Sequence, residues 1–273
     1  MTSADLHNSQ APWCSIITVT FNSARTLRHF WSQVDLTSGV EWVVVDNAST
    51  DDTVLVAREL GARVVQLEKN HGFSYANNVG YSVAESDFIA FLNPDVRPDQ
   101  NALRILERAA NENDAIVGPQ LYNSDGTRQP NGRGFPTLAV KIRNRLRADD
   151  SQYLLYASGD APRNVVWLMG AAVLGYRAQF DQFGAWDPRF FLYYEDSDLG
   201  LRSWRAGVPV MLIPRARMLH GWARETAGKF RLTPWLREIP SMIKFYWRYP
   251  RLLTNRNYAK RAHPRVTGAV FDT

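Results

Sequence analysis

Three acidic residues stand within four positions of one another, at Glu195, Asp196 and Asp198. An aromatic run, FFLYY at 190–194, precedes them, and LGLRSWR follows with helical spacing. A carboxylate held against a partly apolar wall can act as a general base. The alternative is that Glu195 and Asp198 cap the start of a helix, where the helix dipole favours acids.

Polar residues follow two apolar segments that have the composition of buried strands. Asn93-Pro94-Asp95 follows FIAFL, and Asp46-Asn47 follows EWVVV. Asp95 suits Mg²⁺ or Mn²⁺, which take one or two carboxylates together with substrate phosphates, although a simple turn explains the same residues. Asp46 and Asn47 suit the edge of a base or ribose, or else an Asx turn before the next helix.

Two further segments carry polar residues that could line a site. NHGFSYANNVG at 70–80 combines a glycine with side-chain amides near a helix start, and it is neither a Walker motif nor GxGxxG. His220 follows VMLIPRARML and lies near Arg217 and Arg224. A lone histidine serves either as a ligand or as a structural residue, and both interpretations stay open at this point.

Apolar segments alternate along the chain with segments of helical pattern. The predicted strands are 14–20, 41–45, 63–67 and 88–92, and the predicted helices are 22–34, 53–62, 74–86 and 99–110. This order predicts an α/β fold with a mostly parallel sheet and helices on both faces. Ligands bind such sheets at the carboxyl ends of the strands, which is where the polar residues above fall.

Residues 122–165 differ in character from the preceding part of the chain. YNSDGTRQPNGRGFPT is rich in turn formers, and KIRNRLRADD is basic and then acidic. The segment is expected to be either a mobile loop over the site or a solvated connection. Strand character returns at 165–177, with Gly170 allowing close backbone approach.

Composition limits the class of protein. The chain has 273 residues, 45% of them hydrophobic, which suffices for a full core. The single Cys14 excludes an intramolecular disulfide and fits a reducing compartment. The first residues lack a signal-peptide pattern, and no apolar run reaches the ~20 residues that cross a bilayer. We therefore expect a cytoplasmic protein.

The C-terminal part of the chain is basic. The net charge is +5, but residues 201–265 hold 15 Lys or Arg against only Glu225 and Glu238. From residue 230 onward, Trp, Tyr and Phe interleave with these cations, which suits an anionic membrane surface, here the inner face of the plasma membrane. The alternative is a helix pair that packs on the rest of the protein or on a second subunit. RNA binding ranks lower because no RRM, KH or zinc signature is present.

Taken together, these segments resemble the inverting family 2 glycosyltransferases, of GT-A fold, and in particular the rhamnosyltransferase-like branch. The segments that carry the resemblance are SIITVTFNS, VVVDNASTDDT, NHGFSYANNVG, FIAFLNPDV, FFLYYEDSDLGLR and IPRARMLH. They occur in the family's order and span about residues 14–222. The resemblance implies a catalytic domain at 1–229, with a nucleotide-sugar half at about 14–120 and an acceptor half at about 121–229. Residues 230–273 would form a basic, aromatic helical extension.

The resemblance also implies roles for individual residues. The donor pocket would contain Thr20, Asn22, Asp46, Asn47, Asn70, Gly72, Asn77 and Asn93. Asp95 would bind Mg²⁺ or Mn²⁺ with His220, although Asn93 replaces the first acid of the family's DxD pattern. Asp196 would be the catalytic base. The acceptor side would contain Trp167, Gly170 and Glu195.

The function implied is transfer of a sugar from a nucleotide-diphosphate donor to a glycan acceptor, lipid-linked or free. The branch favours L-rhamnose from dTDP-L-rhamnose and an acceptor in lipopolysaccharide, capsule or cell-wall synthesis. The same chemistry with a UDP-sugar (galactose, galactofuranose or N-acetylglucosamine) is the alternative. A non-catalytic module that binds membrane or nucleic acid on a degenerate transferase fold is the alternative from another class.

Overall fold

A computed structural model describes residues 11–36, 39–145, 152–157, 159–221, 232–254 and 256–271. Its strands are β1 (Cys14–Thr20), β2 (Val40–Asp46), β3 (Arg63–Gln66), β4 (Phe88–Leu92), β5 (Val96–Arg97), β6 (Ile116–Tyr122), β7 (Arg128–Gln129), β8 (Gly132–Arg133), β9 (Leu154–Leu155), β10 (Arg163–Asn164), β11 (Trp167–Leu168), β12 (Ala172–Tyr176) and β13 (Val210–His220). Its helices are α1 (Ala24–Trp31), α2 (Thr53–Glu59), α3 (Phe73–Val83), α4 (Gln100–Asn113), α5 (Leu138–Arg145), α6 (Arg177–Phe183), α7 (Glu195–Ala206), α8 (Leu232–Arg248), α9 (Arg256–Ala262) and α10 (Pro264–Phe271), with a 3₁₀ turn at Pro250–Leu253.

The main sheet has the strand order β10-β13-β6-β12-β4-β1-β2-β3. Strands β1, β2, β3, β4, β6 and β13 all run in one direction, because β12 lies antiparallel between β4 and β6. The expected α/β fold is confirmed, with β12 as the antiparallel interruption that the sequence did not reveal. The six parallel strands end at one edge of the sheet, which is where ligands bind in such folds.

Alternating residues of the central strands pack into separate cores on the two faces of the sheet. Ile16 and Ala90 pack with α1, α2 and α4 on one face. Ile17 and Ile89 belong to the core of the other face, which contains α6, α7 and the C-terminal helices. Strands covered on both faces read as continuous apolar runs, which is why they were recognisable in the sequence.

The turn-rich segment after β6 is neither a mobile loop nor a solvated connection over its central part. Residues 129–137 are buried, and β8 forms a small sheet with β9 and β11. Polar side chains are tolerated there because they bond to buried backbone: Asn131 Nδ2 donates to the Pro119 carbonyl at 2.8 Å. The segment is therefore part of the core and supplies residues to the site.

The C-terminal helices pack on the preceding part of the protein. Phe245, Tyr249 and Leu252 belong to the same core as Phe180 and Trp204. The packing alternative from the sequence analysis therefore describes the buried face of this segment. Among the described residues, no helix combines the length and apolarity needed to cross a membrane.

Candidate active site

An open cleft of about 1150 Å³ lies at the carboxyl ends of the parallel strands. The ten predicted site residues that line it are Thr20, Asn47, Asn70, Gly72, Asn93, Asp95, Gly170, Glu195, Asp196 and His220. They come from positions spread over 200 residues of the chain and are brought together by the sheet topology. The sequence expectation that these strand ends form one site therefore agrees with the geometry.

Asp95 and His220 form a pair on the floor of this cleft. β13 pairs with β5 in a register that places His220 opposite Val96, next to Asp95. As a result, His220 Nε2 lies 3.4 Å from Asp95 Oδ2. The turn is also present, because the Val96 N–H donates to the Asn93 carbonyl at 3.0 Å. The turn and the ligand interpretations of this segment are thus compatible.

Gln129, a residue that the sequence analysis did not select, determines the tautomer of His220. Its Nε2 donates to Asn123 Oδ1 at 2.6 Å and to the His220 carbonyl at 2.9 Å, so its Oε1 must be the atom that faces His220 Nδ1 at 2.7 Å. An amide oxygen only accepts, so Nδ1 carries the proton and the neutral ring presents the Nε2 lone pair toward Asp95. No local signal in the sequence marks Gln129.

The Asp95–His220 pair fits a divalent cation. A carboxylate and an imidazole suit Mn²⁺, and Mg²⁺ is often bound by one carboxylate together with substrate phosphates. Within the described ranges, no cluster of three His, Cys, Asp or Glu residues is arranged to hold a metal. A metal here would therefore depend on donor phosphates and water for its remaining ligands.

Glu195 and Asp196, neighbours in the chain, also line this cleft. Glu195 is buried, and its Oε2 has no hydrogen-bond partner in the described structure. Burial, followed by repulsion from Asp196, raises the pKa of Glu195 to about 8, so this group is mostly protonated at pH 7. Asp196 is half-buried; its Oδ1 accepts from the Ser197 N–H at 2.7 Å, and the Gly170 N–H is 3.4 Å from Oδ2. One cleft therefore presents an acid and a carboxylate together.

Two cations, the half-buried Lys141 and the buried Arg133, interact electrostatically with Asp196. Lys141 Nζ is 3.4 Å from Ser197 Oγ and lies over the Trp167 and Tyr194 rings. Burial opposes its charge, but Tyr153 and Asp196 outweigh that effect and raise its pKa. Arg133 donates to the Gly132 carbonyl and to Met169 Sδ. Their positive charge attracts the Asp196 carboxylate, and the basic run of α5 was the sequence signal for Lys141.

Asp198 anchors α7 and does not line the cleft. It is fully buried, and its Oδ2 accepts from Arg202 Nε at 2.6 Å. Its Oδ1 accepts from the Tyr249 hydroxyl at 2.8 Å and lies 3.2 Å from Arg248 Nη1. The N-cap residue Tyr194 makes no side-chain cap bond, but Glu195 and Asp198 both lie in the first turn of α7, where the helix dipole favours acids, so this part of the alternative holds. Gly200 lets α7 approach β11, because a Cβ there would lie 2.5 Å from Trp167 Cβ.

The loop before α7 has a strained backbone. Tyr193 and Tyr194 both have φ of 68°, and Asn22 and Ala48, at the ends of β1 and β2, also have positive φ. Such conformations cost about 1–3 kcal/mol each and concentrate at functional sites. Backbone strain in three loops that meet in one region is consistent with a preformed binding site.

The asparagines that the sequence predicts for the donor pocket connect these loops to one another. The amide of Asn47 accepts from the His71 N–H at 2.9 Å and donates to the Gly72 carbonyl at 3.2 Å. Asn70 Oδ1 accepts from the Gly72 N–H at 3.0 Å. Asn22 Oδ1 accepts from the Thr50 N–H at 2.8 Å, at the exposed rim. These amides hold the loops in place around the cleft.

Three predicted residues lie behind the cleft surface. Asp46 is buried, and its Oδ1 accepts from the Thr20 hydroxyl at 3.1 Å and from the Ser49 hydroxyl at 2.5 Å. Its Oδ2 accepts from the Ser49 N–H at 2.9 Å, which is the Asx-type arrangement considered above. Asn77 is buried in α3, and its Nδ2 has no partner in the described structure. Trp167 is buried and donates to the Gly134 carbonyl at 2.9 Å. None of the three lines the cleft in this structure.

Two arginines of α1, Arg25 and Arg28, line the cleft and were not selected from the sequence. Both are exposed, and no carboxylate of the described residues lies within 4.0 Å of either. Their spacing of three residues after a strand end was the available signal. Guanidinium groups so placed can bind phosphate oxygens.

The comparison with known proteins agrees with this geometry. The profile of the family Glycosyl transferase family 2 matches residues 15–160. N-acetylglucosaminyl-diphospho-decaprenol L-rhamnosyltransferase of Mycobacterium tuberculosis is 28% identical over 238 residues, covering 77% of this chain and 76% of that protein. Rhamnosyltransferase WbbL of Escherichia coli is 25% identical over 198 residues, covering 69% and 74%. The expected resemblance to the rhamnosyltransferase-like branch is confirmed.

A solved structure shares the fold at low sequence identity. Mannosyltransferase PcManGT from Pyrobaculum calidifontis, in complex with GDP-Man and Mn²⁺, has a TM-score of 0.58 at 15% identity. The match covers 96% of this chain and 70% of that chain. The expected GT-A fold is confirmed. Because the family profile spans more than half of the chain, this protein belongs to glycosyl transferase family 2 and is a glycosyltransferase.

Proposed function

We propose that this protein is an inverting glycosyltransferase that moves L-rhamnose from dTDP-L-rhamnose to a glycan acceptor in bacterial polysaccharide synthesis, in lipopolysaccharide, capsule or cell wall. The observation that carries the proposal is the single cleft that holds the Glu195–Asp196 pair and the Asp95–His220 pair on its walls. A base and a phosphate-binding centre facing one cavity are what a direct displacement at a sugar carbon requires.

Asp196 is the proposed catalytic base. Its Oδ1 is bonded to Ser197, whereas Oδ2 has only the 3.4 Å contact with the Gly170 N–H and is the more open oxygen. The acceptor hydroxyl would lose its proton to Oδ2 while its oxygen bonds to the anomeric carbon. The bond from that carbon to the diphosphate breaks, and the nucleoside diphosphate leaves from the opposite side. Because Glu195 is protonated, it places no second negative charge next to the catalytic base.

Asp95 and His220 are the proposed ligands of Mg²⁺ or Mn²⁺. A bound cation supplies positive charge for the leaving diphosphate. Gln129 holds the His220 ring in the tautomer that leaves Nε2 available. Arg25 and Arg28 would bind the outer phosphate oxygens, which would compensate for Asn93 in the place of a second acid. The presence of Mn²⁺ in the mannosyltransferase complex supports a divalent ion in this fold.

The choice of sugar rests on the relatives. Two proteins that match two thirds or more of this chain carry rhamnosyltransferase names, and one of these names specifies an acceptor linked to decaprenol by a diphosphate. These names support L-rhamnose as the donor sugar and a lipid-linked glycan as the acceptor. A cytoplasmic location is consistent with a soluble nucleotide-sugar donor.

The donor proposal is tested with a panel of nucleotide sugars. The purified full-length protein is mixed with dTDP-L-rhamnose, dTDP-glucose, UDP-galactose, UDP-galactofuranose and UDP-N-acetylglucosamine, each with Mg²⁺, Mn²⁺ or EDTA. Thermal stabilisation and released nucleoside diphosphate are measured. We expect dTDP-L-rhamnose to stabilise most, and only with metal. Stabilisation by a UDP-sugar alone would exclude rhamnose, and stabilisation that survives EDTA would exclude the metal assignment.

The exposed face of α8 is the proposed membrane-docking surface. Ile239, Ile243 and Trp247 recur every four residues and are 39%, 60% and 88% exposed. Lys244, an exposed cation of the same helix, lies next to this apolar stripe, which suits an anionic lipid surface. Ile243→Ser/Trp247→Ser is expected to reduce co-sedimentation with phosphatidylglycerol vesicles, whereas Leu55→Ser, at an exposed leucine of α2, is not. Equal sedimentation of the two variants would refute this surface.

A further inference from the structure

A second cavity, of about 540 Å³, lies where the C-terminal segment meets the end of α7. We call it the arginine pocket after four of its lining residues, Arg205, Arg248, Arg251 and Arg265. None of its lining residues is an Asp or a Glu, and none also lines the cleft. It is therefore a separate concave site with one sign of charge.

Three of the four guanidinium groups have no acidic partner within the part of the chain that the structure describes. Arg248 pairs with Asp187 at 2.6 Å and with Asp198 at 3.2 Å. In contrast, no carboxylate of the described residues lies within 4.0 Å of Arg205, Arg251 or Arg265. The fold brings these like charges together from α7, the 3₁₀ turn and α10, and their mutual repulsion is a cost that an anionic ligand would remove.

Tyr249 contacts two of the arginines that line the pocket. Its ring has Arg205 Cζ at 4.7 Å and Arg248 Cζ at 5.8 Å from its centroid. The Tyr249 hydroxyl donates to the buried Asp198 at 2.8 Å, so the ring is tied to α7. These ring contacts orient Arg205 and Arg248 and leave some of their guanidinium N–H donors unused.

The pKa of His263 responds to the positive charges in the pocket. Burial, followed by the positive charges of Arg205 and Arg251, lowers the pKa of His263 to about 4. The charges of Arg205 and Arg251 therefore act on a histidine that lines the same pocket. The pocket also contains the start of α10 at Pro264, where the helix dipole adds to the positive potential.

We propose that the arginine pocket is a binding site for a phosphate group, separate from the cleft and independent of the proposed sugar transfer. Arginine presents paired N–H donors that match phosphate oxygens, and a cluster of arginines lacking carboxylates suits a phosphate better than a carboxylate-bearing peptide. The volume accommodates a phosphate or a diphosphate together with its first attached carbons.

Two sources of this group share the same chemistry. One is a soluble phosphate or diphosphate, and the other is the headgroup of an anionic phospholipid. The apolar stripe of α8 ends at Trp247, which directly precedes the pocket residue Arg248, so a headgroup would lie next to a surface suited to acyl chains. The experiment below separates the two sources.

Pyrophosphate binding to the full-length protein is measured by calorimetry at constant ionic strength. Arg251→Gln/Arg265→Gln is expected to weaken binding at least about tenfold, because two charge-assisted contacts are removed. The matched control, Arg58→Gln/Arg215→Gln, removes the same charge from exposed arginines outside both cavities and is expected to bind like the wild type. In NMR titrations, pyrophosphate should raise the pKa of His263, since a bound anion offsets Arg205 and Arg251.

Vesicle sedimentation distinguishes a phospholipid headgroup from a soluble phosphate as the ligand of the arginine pocket. If the headgroup is bound, Arg251→Gln/Arg265→Gln sediments less with phosphatidylglycerol vesicles than the control does, and neither sediments with phosphatidylcholine. If the soluble phosphate is bound, only the calorimetric difference is seen. Equal pyrophosphate affinity of the two double variants, with an unchanged His263 pKa, would overturn the proposal. Donor turnover, measured in the same variants, is expected to be unaffected, so failure of the sugar-transfer proposal would be recognised separately.

Discussion

His220 Nδ1 lies 2.7 Å from Gln129 Oε1, and the two residues are 91 positions apart in the chain. The remaining bonds of Gln129 leave its amide only one orientation, so the histidine must donate from Nδ1. The opposite ring nitrogen then faces Asp95, at 3.4 Å from Oδ2. A hydrogen bond between two side chains thus prepares the pair that we propose as metal ligands.

Replacement of Gln129 tests this arrangement. Gln129→Leu removes the acceptor that fixes the tautomer, so Mn²⁺ affinity, measured from metal-induced thermal stabilisation, is expected to fall roughly 10–100-fold. Gln129→Glu keeps an acceptor oxygen for Nδ1 but loses the N–H that donates to Asn123 and to the His220 carbonyl, so it is expected to melt at a lower temperature while keeping more of the metal affinity than Gln129→Leu. A purely structural role would instead lower the melting temperature of both variants without changing the metal response.

The roles of the two adjacent acids are separated by isosteric substitutions. Asp196→Asn is expected to lower kcat by roughly 10²–10⁴-fold with unchanged donor Kd, because the general base is lost. Glu195→Gln replaces a group that is already mostly neutral at pH 7, so its kcat at pH 7 should fall far less. Both are measured by release of nucleoside diphosphate, and near wild-type turnover by Asp196→Asn would contradict the base assignment.

The raised pKa of Glu195 predicts a pH dependence of stability. The folded state holds this proton more tightly than the unfolded state, so the group's contribution to stability is complete below about pH 4.5 and is lost as the pH rises to about 8. Glu195→Gln lacks this titration. Urea denaturation at several pH values should therefore show a smaller decline of the free energy of unfolding for Glu195→Gln across this window, and identical profiles would argue against the raised pKa.

Gly72 provides a test of how the donor loop contacts the loop before α7. Its φ is 88°, and an added Cβ would lie 2.4 Å from the Phe191 carbonyl oxygen. Gly61 has φ of 87° with nothing near the same position, so Gly61→Ala tests a positive φ, at about 1–2 kcal/mol, without the clash. Gly72 also has ψ of 173°, a region that glycine alone adopts readily, which adds to the cost of Gly72→Ala. Gly72→Ala should be less stable than this control by at least about 1 kcal/mol and should raise the donor KM. Equal stability of the two variants would show that Phe191 moves away from the added Cβ without a cost in free energy.

Much of the fold could be predicted from local patterns. β1, β2 and β4 are apolar runs buried on both faces. Burial decreases at Asn93 and Asp95 after β4, whereas Asp46 is the buried last residue of β2 and is satisfied by hydrogen bonds. The acid cluster at the start of α7 was visible because three carboxylates fall within four positions after an aromatic run. The segment from Gln129 to Thr137 was not, because its turn-forming polar residues are buried through hydrogen bonds that no local pattern encodes.

The sequence by itself determined the alternation of strands and helices, the strand ends that meet in the cleft, and the identity of the family. Only the tertiary structure decided which partner each polar group received. Gln129 reaches His220 because β7 and β13 both pair with β6. Burial beside Asp196 makes Glu195 an acid, and the packing of the C-terminal helices on α7 binds Asp198 to Tyr249. Periodicity reports which face of an element is buried, whereas hydrogen bonds and pKa values depend on contacts between distant segments.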